Sequence, residues 1–451
     1  MNILLKNADV LTSACAPVLR NADIGISGNK ILFVGPSADG SSADGSSADG
    51  SSADGSPAGV THRGFSPDRV LDCTGRLVIP GLVNAHCHTA MTLLRGYADD
   101  MNLESWLFDK IFPAEALLTD EDVYWGTTLG IAEMLRGGVT CVNDMYLKMD
   151  NVAAAFRDSG IRATVSIGPL LTEKRGDALA DAEGCVAFFK RWNGASDGRI
   201  GVNVEIHSIY LYQPDTLREG ARIAKDLNAA IHIHILETAT ERSNMFDRYG
   251  RSSVELAAEF GIFDSPVIAA HCVHLDDSDI SILACKKVNA VHNPSSNMKL
   301  ASGFAPVVKM LDKGINVCLG TDGASSNNNL DIFMEMRLAA MAHKGVSGDP
   351  TAVPAATAFK MATENGALAL GVGGAGVIKA GGLADLTVIS LDGPHLQPVY
   401  GHLSTLVYAA RSSDVETVIA DGNILMEKRR LTTIDEEKAI YMANKSARKY
   451  M

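Results

Sequence analysis

The sequence predicts a (β/α)8 TIM-type barrel with a small β-sandwich domain formed from both chain termini. Three observations predict this fold: eight apolar strand-like runs in the central part, helix-like segments between them, and short strand patterns near both ends. The eight runs are LVIPGLVNAH, GVTCVND, IRATVSIG, RIGVNVEIH, AAIHIHIL, PVIAAHC, VNAVHN and INVCLGTD. A doubly wound open sheet is the competing fold, but it requires a glycine-rich phosphate loop after the first strand, and none appears.

The terminal domain is predicted from strand patterns at the two ends of the chain. Residues 22–35 contain two short strand patterns around a Gly-Asn turn, and residues 383–391 and 415–431 show similar patterns. Strands from both ends can complete one small β domain beside the barrel. The predicted division is residues 1–76 and 379–451 for the β-sandwich and a terminal helix, and residues 77–378 for the barrel.

A short repeat interrupts the N-terminal part of this domain. Residues 37–57 contain the pentapeptide SADGS four times, followed by Pro57. Small polar side chains bury little apolar area, so we expect a solvated, disordered loop. A calcium-binding repeat is the alternative, but a single aspartate in each pentapeptide falls short of the carboxylate density that such sites need.

The composition limits the classes of partner and compartment. A formal net charge of −13 repels phosphate backbones, so we expect no nucleic-acid partner. The sequence has no uninterrupted apolar run of about 18 residues, and its start does not resemble a signal peptide, so we expect no membrane association. The eight cysteines are widely spread without a CxxC pair, which is typical of reduced thiols in a cytoplasmic protein.

Polar side chains end most of the predicted barrel strands, where a barrel places its catalytic groups. Eight of the 12 histidines lie at or near these ends. The polar groups are His86 and His88 after the first run, Glu205 and His207, then His232 and His234 with Glu237 beyond, His271 and His274, His292 and Asn293, and Thr321 and Asp322.

This pattern predicts a catalytic metal site. Residues two apart on a strand point to one face, so His86 and His88 can bind the same ion. Imidazole and carboxylate ligands suit zinc or ferrous iron, and three histidines with one aspartate leave a position open for water. On strand five His232 and His234 both face the barrel interior, and we favour His234 because it lies nearer the rim and in register with Glu237.

The segment LVIPGLVNAHCHTAMTLLRGYADD resembles the opening of amidohydrolase superfamily proteins. Five further segments are similar to the 5'-methylthioadenosine/S-adenosylhomocysteine deaminase family within it, and the resemblance covers nearly the whole chain except the repeat. These segments are ESWLFDKIFPAEA, HIHILETATE, AAHCVHL, HNPSSNMKLASG and LGTDGASSNNNLDIFMEMR. The resemblance implies hydrolytic deamination of an adenosine derivative to the inosine analogue, with methylthioadenosine, S-adenosylhomocysteine, 5'-deoxyadenosine and adenosine as candidate substrates.

The resemblance also assigns roles to individual residues. The implied metal ligands are His86, His88, His234 and Asp322. Glu237 matches the proton-shuttling glutamate, His271 matches the histidine beside the attacked carbon, and Asp322 accepts a proton from the attacking water. The implied substrate contacts are Glu115, His207, Glu237 and Trp106.

Two local features refine these expectations. Strand four ends in EIHS without the lysine that bridges two ions in binuclear relatives, so we expect one divalent ion, Zn²⁺ first and Fe²⁺ or Mn²⁺ as alternatives. Family members that bind a homocysteine carboxylate carry an arginine after strand three, where this chain has Ile167 with Lys174 and Arg175 nearby. Neutral 5' substituents are therefore favoured over S-adenosylhomocysteine.

Other readings stay open at this point. The same metal site could hydrolyse another heteroaromatic ring, as in guanine deaminases and chlorotriazine hydrolases. A catalytically silent barrel used for binding is the alternative from another class, although a decayed site should have lost at least one ligand. We expect a small-molecule nucleoside partner and, by analogy with relatives, self-association into a homo-oligomer.

Overall fold

The computed structural model of this protein describes residues 1–37, 64–168 and 182–450. Nearly all of the SADGS repeat, for which we predicted a disordered loop, lies outside the described residues, as do Lys174 and Arg175. Within the described ranges, every helix is too short or too polar to cross a membrane.

In the described ranges, five strands precede the barrel. Apolar residues at alternate positions give the first strand one buried face, which includes the fully buried Ile3 and Leu5. The strands are β1 (Asn2–Val10), β2 (Leu19–Ser27), β3 (Lys30–Pro36), β4 (Arg69–Asp72) and β5 (Arg76–Pro80).

Eight parallel strands then form the barrel in sequence order. These strands are almost entirely buried, as expected for strands covered on both faces. The barrel closes where the last strand exits beside the first, and the backbone N–H of Asp322 donates to the carbonyl of His86 at 3.0 Å. The strands are β6 (Leu82–Cys87), β7 (Val139–Met145), β8 (Arg162–Ile167), β9 (Ile200–Ser208), β10 (Ile231–Ile235), β11 (Val267–His271), β12 (Asn289–His292) and β13 (Asn316–Leu319).

Each of the eight predicted runs contains a barrel strand, so the predicted barrel is confirmed. The first run, LVIPGLVNAH, is not a single strand, because its first half belongs to β5 of the other sheet. The two strands are separated at Pro80-Gly81, where proline lacks the backbone N–H that would donate a hydrogen bond within a sheet. A Cβ at Gly81 would lie 2.1 Å from Oγ1 of Thr140, so only glycine lets the chain pass there.

The remaining strands return to the N-terminal ones. They are β14 (Leu386–Ser390), β15 (Val415–Ala420), β16 (Asn423–Glu427) and β17 (Arg430–Leu431). The hydrogen-bonded order is β17-β16-β15-β14-β5-β1-β2-β3, and β4 pairs with β1. Both termini thus build one β domain, as predicted, whose strands form a single mixed sheet. The predicted boundaries at residues 76/77 and 378/379 stay predictions.

A buried cluster of ion pairs connects the barrel with this sheet. Arg162 on β8 donates from Nε to Asp385 at 2.9 Å and from Nη2 to Asp421 at 2.8 Å. Arg162 and Asp385 are almost fully buried, so removing either partner would leave a charge without compensation. The two sheets therefore have a fixed relative position.

Helices cover the outside of the barrel. In α7, for example, Leu217, Ala221 and Ala224 are buried at helical spacing, so one stripe packs inward. The α-helices of the described ranges are α1 (Leu103–Ser105), α2 (Phe112–Glu115), α3 (Asp120–Arg136), α4 (Met149–Ser159), α5 (Ala182–Trp192), α6 (Ala195–Gly198), α7 (Pro214–Leu227), α8 (Ala239–Tyr249), α9 (Ser253–Glu259), α10 (Asp277–Cys285), α11 (Pro294–Lys299), α12 (Val307–Asp312), α13 (Ile332–Ser347), α14 (Ala355–Met361), α15 (Glu364–Ala369), α16 (His402–Tyr408) and α17 (Glu436–Ala447). A π-helical turn, Trp106–Ile111, joins α1 to α2 and borders the site described next.

Candidate metal centre and active site

Four buried side chains converge at the carboxyl ends of the barrel strands. One potential ligand atom from each of His86, His88, His234 and Asp322 lies within 4.8 Å of all the others. Oδ1 of Asp322 is 3.3 Å from Nε2 of His86 and 3.2 Å from Nε2 of His88. The Nε2 atoms of His88 and His234 are 3.3 Å apart. The four residues lie on β6 and directly after it, on β10 and in the segment after β13, so only the folded barrel brings them together.

Backbone carbonyls orient two of these imidazoles. Nδ1 of His88 lies 2.5 Å from the carbonyl of Met145, and Nδ1 of His234 lies 2.7 Å from the carbonyl of His207. A carbonyl only accepts, so each Nδ1 carries a proton, and in the neutral ring each Nε2 presents a lone pair toward the cluster. Such contacts fix the tautomer and the ring orientation of a metal-binding histidine.

Asp322 is held in one orientation by its neighbours. Ser296 and Ser326 donate from Oγ to its Oδ2 at 2.6 and 2.8 Å, which leaves Oδ1 facing the histidines. Its φ of +62° is in the left-handed region, which turns the carboxylate back over the barrel mouth. A Cβ at Gly320 would lie 2.9 Å from the Cβ of His86, so glycine permits this close approach of the first and last strands.

The residues present fit a divalent metal ion. Nε2 of His86 is fully buried and has no hydrogen-bond partner of good geometry among the described residues. Burial lowers the pKa of His86 to about 4 and lowers the pKa of His234, which favours the neutral rings that ligate metals. Burial opposes the charge of His88, but the hydrogen bond and charge of Asp322 outweigh it and raise its pKa to about 9. An ion bound there must therefore displace a proton from His88.

Two further ionisable side chains lie beside the cluster. Nε2 of His271 is 3.7 Å from Oε2 of Glu237. Asn297 accepts from Nδ1 of His271 at 2.8 Å, so Nε2 of that ring faces the cavity with its lone pair. Ser302 donates to Oε1 of Glu237 at 3.3 Å, and burial raises the pKa of Glu237. The carboxyl group consequently keeps its proton at higher pH than an exposed glutamate does.

A pocket of about 620 Å³, including its opening to solvent, joins these groups. Trp106, Phe112 and Leu300 contribute to an apolar wall, and Glu115 and His207 add polar groups. Trp106 and Glu115 are only 5% and 4% exposed, so neither is a simple surface residue. The indole N–H of Trp106 is buried without a hydrogen-bond partner among the described residues, which leaves a donor for a ligand. This volume and lining suit a small, partly aromatic molecule.

The nine residues that were expected to bind metal, bind substrate or carry protons lie in the ligand cluster or on this pocket. His88, His234 and Asp322 belong to both, and His86 lies behind them, fully buried. His232, the alternative to His234, is not in the ligand cluster found among the described residues. Its ring contacts Nδ1 of His86 instead, at 2.8 Å.

Ile167 lies outside the main pocket. It lines a second cavity that adjoins the first and shares Tyr146 and Glu205 with it. Tyr146 and Glu205 thus border both cavities, and Ile167 lines only the second one, away from the ligand cluster. Ile167 can therefore contact only those groups of a ligand that extend from the first cavity into the second.

The motif HNPSSNMKLASG contributes to the family resemblance, but the sequence alone assigned no role at the site to its members. It directly follows β12, and that position behind a barrel strand is the signal that could have identified them. Its contacts are Ser296 with Asp322 at 2.6 Å, Asn297 with His271 at 2.8 Å and Ser302 with Glu237 at 3.3 Å. The motif thus orients three of the polar groups at the site. Tyr146, Tyr210 and Glu205 on the pocket wall also had no assigned role.

Comparisons with known proteins agree with this geometry. The chain is 49% identical to a 5-methylthioadenosine/S-adenosylhomocysteine deaminase of Acetivibrio thermocellus, over 100% of both chains. It is 44% identical to a 5'-deoxyadenosine deaminase of Methanosarcina acetivorans, over 99% of this chain and 98% of that protein. The structure of an adenosine deaminase from Xanthomonas campestris with bound zinc has a TM-score of 0.88 and 34% identity, covering 99% of this chain and 98% of that one. A sequence model of the amidohydrolase family matches residues 77–425, and the chain belongs to this family.

Proposed function

We propose that this protein is a metal-dependent hydrolytic deaminase that converts an adenosine derivative to the inosine analogue and ammonia. The observation that carries the proposal is the buried three-histidine, one-aspartate cluster on the wall of a pocket that also holds a buried carboxyl group and a further imidazole. The names of the relatives from Acetivibrio and Methanosarcina support this reaction class.

The proposed cofactor is one divalent ion, with Zn²⁺ favoured over Fe²⁺ or Mn²⁺. His86, His88, His234 and Asp322 would hold it. The structure from Xanthomonas campestris contains zinc, which supports this order of preference. When bound, the ion lowers the pKa of water enough to make hydroxide available near neutral pH.

The protein's own groups carry the protons of the reaction. Asp322 accepts the proton of the attacking water at Oδ1, because its other oxygen is occupied by two serine hydroxyls. The lone pair at Nε2 of His271 holds the water for attack on C6 of the adenine ring. Glu237 donates its proton to ring N1, so that the ring carries no negative charge as the C6–O bond forms. The proton held by Asp322 then passes to the departing amine, the C6–N bond breaks, and ammonia leaves as the C6 hydroxyl returns a proton to Glu237.

The pocket wall recognises the nucleoside. Glu115 accepts hydrogen bonds from the ribose hydroxyls, His207 binds the purine or the sugar, and Trp106 packs against the nucleoside. The 5' group points toward the adjoining cavity that Ile167 lines. An apolar side chain at this position favours a methylthio, deoxy or hydroxy substituent over a charged one.

A substrate panel tests the reaction and the substrate class together. We expect purified protein to release ammonia from methylthioadenosine, 5'-deoxyadenosine and adenosine, with lower kcat/KM for S-adenosylhomocysteine. Loss of adenine absorbance, with metal content measured on the same sample, reports the result. Turnover of guanine or a chlorotriazine in place of every nucleoside would favour a different ring hydrolase. Metal-free protein without any turnover, even after Zn²⁺ is added, would favour a silent barrel.

Glu115→Gln is expected to weaken nucleoside recognition without disabling the chemistry. Losing a hydrogen bond to a charged acceptor costs about 1.5–3 kcal/mol, so kcat/KM for the preferred nucleoside should fall about 10–100-fold, mainly through KM. Activity on free adenine, which has no ribose, should change little. Glu104→Gln is the matched control, because Glu104 is exposed in the same segment. An equal loss with free adenine would show that Glu115 does not bind the sugar.

A further inference from the structure

The three histidines of the ligand cluster are oriented in two different ways. His88 and His234 donate from Nδ1 to backbone carbonyls. The ring of His86 is oriented by a side chain instead of a backbone carbonyl: its Nδ1 lies 2.8 Å from Nε2 of His232. His232 is fully buried two residues before His234 on β10, with its ring behind the cluster. One ligand is therefore held by a side chain that mutation can change, whereas the other two are held by the backbone.

A hydrogen bond between two neutral imidazoles needs one protonated nitrogen and one lone pair. If His86 binds the ion through Nε2, its Nδ1 must carry the proton and donate to Nε2 of His232. Nδ1 of His232 then carries the other proton and donates to Oγ of Ser166 at 3.0 Å. This chain of two imidazoles and one hydroxyl is complete and leaves the lone pair of His86 free for the ion.

A competing tautomer of the same chain cannot bind metal. The side-chain amide of Asn143 lies 3.2 Å from Nδ1 of His232 and is a donor in this orientation. If Nδ1 of His232 accepted that bond, the proton of His232 would lie on Nε2 and be donated to Nδ1 of His86. The proton of His86 would then lie on its Nε2, the atom that should bind the ion. The hydroxyl of Ser166 can donate to Nδ1 of His232 or accept from it, so it supplies the acceptor that the competent tautomer requires.

We propose that His232 is a positioning residue that sets the metal affinity of the site by fixing the tautomer and orientation of His86. The proposal rests on the metal centre of the proposed function. His232 does not touch the ion or the substrate and acts only through His86. Its partner Ser166, also fully buried, supplies the acceptor for Nδ1 of His232 that the required tautomer needs.

Two substitutions at one position separate this role from simple packing. The amide of glutamine reaches the place of Nε2 and can accept from His86, whereas the amide of asparagine reaches only the place of Nδ1. We expect His232→Asn to weaken Zn²⁺ binding about 10–100-fold, the range for lost outer-shell contacts, and His232→Gln to restore most of it. Ser166→Ala keeps both rings and should weaken binding in the same direction by a smaller factor.

The measurement is the Zn²⁺ dissociation constant of metal-free protein, determined by competition with a chromogenic chelator. Thermal unfolding of the same metal-free samples reports folding separately, since a purely structural role lowers Tm without separating the two variants by metal affinity. Equal affinity of wild type and His232→Asn, or equal weakening in His232→Asn and His232→Gln, would overturn the positioning role. Wild-type protein that binds no Zn²⁺ would overturn the proposed function as well.

Discussion

Glu237→Gln is expected to lower kcat about 10²–10⁴-fold while the protein keeps its bound metal, because general acid catalysis contributes about that factor. Glu237 is only 8% exposed and is not one of the clustered ligands, so the loss should come from proton delivery rather than from metal binding. Burial raises its pKa above that of an exposed glutamate, which favours the protonated form that the donor needs. Steady-state kinetics with metal content measured on the same sample gives the result.

Glu237→Gln isolates proton transfer, because glutamine has nearly the shape of glutamic acid but its amide cannot transfer a proton to ring N1. Glu259→Gln serves as the control, because Glu259 is exposed on α9 and pairs with the exposed Arg251. We expect the control to keep wild-type kinetics. A Glu237→Gln enzyme with near wild-type turnover would show that another group protonates the ring.

Asp322→Asn should have the larger effect, because this residue is both a proposed ligand and the proposed proton acceptor. The neighbouring imidazoles of His86 and His88 outweigh the effect of burial and hold the pKa of Asp322 well below the ordinary value, so it is ionised at neutral pH. Losing this charge should weaken metal binding by at least about 10²-fold, the upper range for loss of an outer-shell contact. Loss of the general base should lower kcat by about a further 10²–10⁴-fold.

Excess Zn²⁺ separates the two roles of Asp322. If metal supply alone limited the variant, saturating Zn²⁺ would restore turnover, whereas loss of the proton acceptor leaves kcat low at full metal occupancy. We expect occupancy to recover and kcat to stay low. Asp312→Asn, at an exposed position of α12, is the control. Full recovery of kcat with Zn²⁺ would contradict the proton-acceptor role.

The barrel was predictable because buried parallel strands need continuous apolar runs, and the sequence has eight of them. The rule that barrel chemistry lies at the carboxyl ends of strands placed His86, His88 and Asp322 at one rim, and the family resemblance implied that they are ligands. The preference for His234 over His232 was based on its position nearer the rim, and the structure places His234 in the cluster.

Other features could not be predicted because they depend on tertiary contacts. The run that contains β5 and β6 looks like one strand, and only packing against Thr140 and pairing with β14 divide it between two sheets. Local sequence gives no reason for Trp106 and Glu115 to line the pocket, since a π-helical turn and a short helix after β6 place them there. The contact of His232 with His86 joins residues 146 positions apart, which periodicity does not reveal.

Anomalous diffraction at a metal absorption edge, from crystals of protein purified without chelators, tests the metal centre most directly. We expect one anomalous peak from a single metal ion. The ion should lie about 2.0–2.1 Å from Nε2 of three histidines and about 2.0–2.2 Å from a carboxylate oxygen of Asp322, with one coordination position open toward the pocket. The three histidines are His86, His88 and His234. A peak bonded elsewhere, or fully active crystals with no peak among these four side chains, would contradict the proposed chemistry.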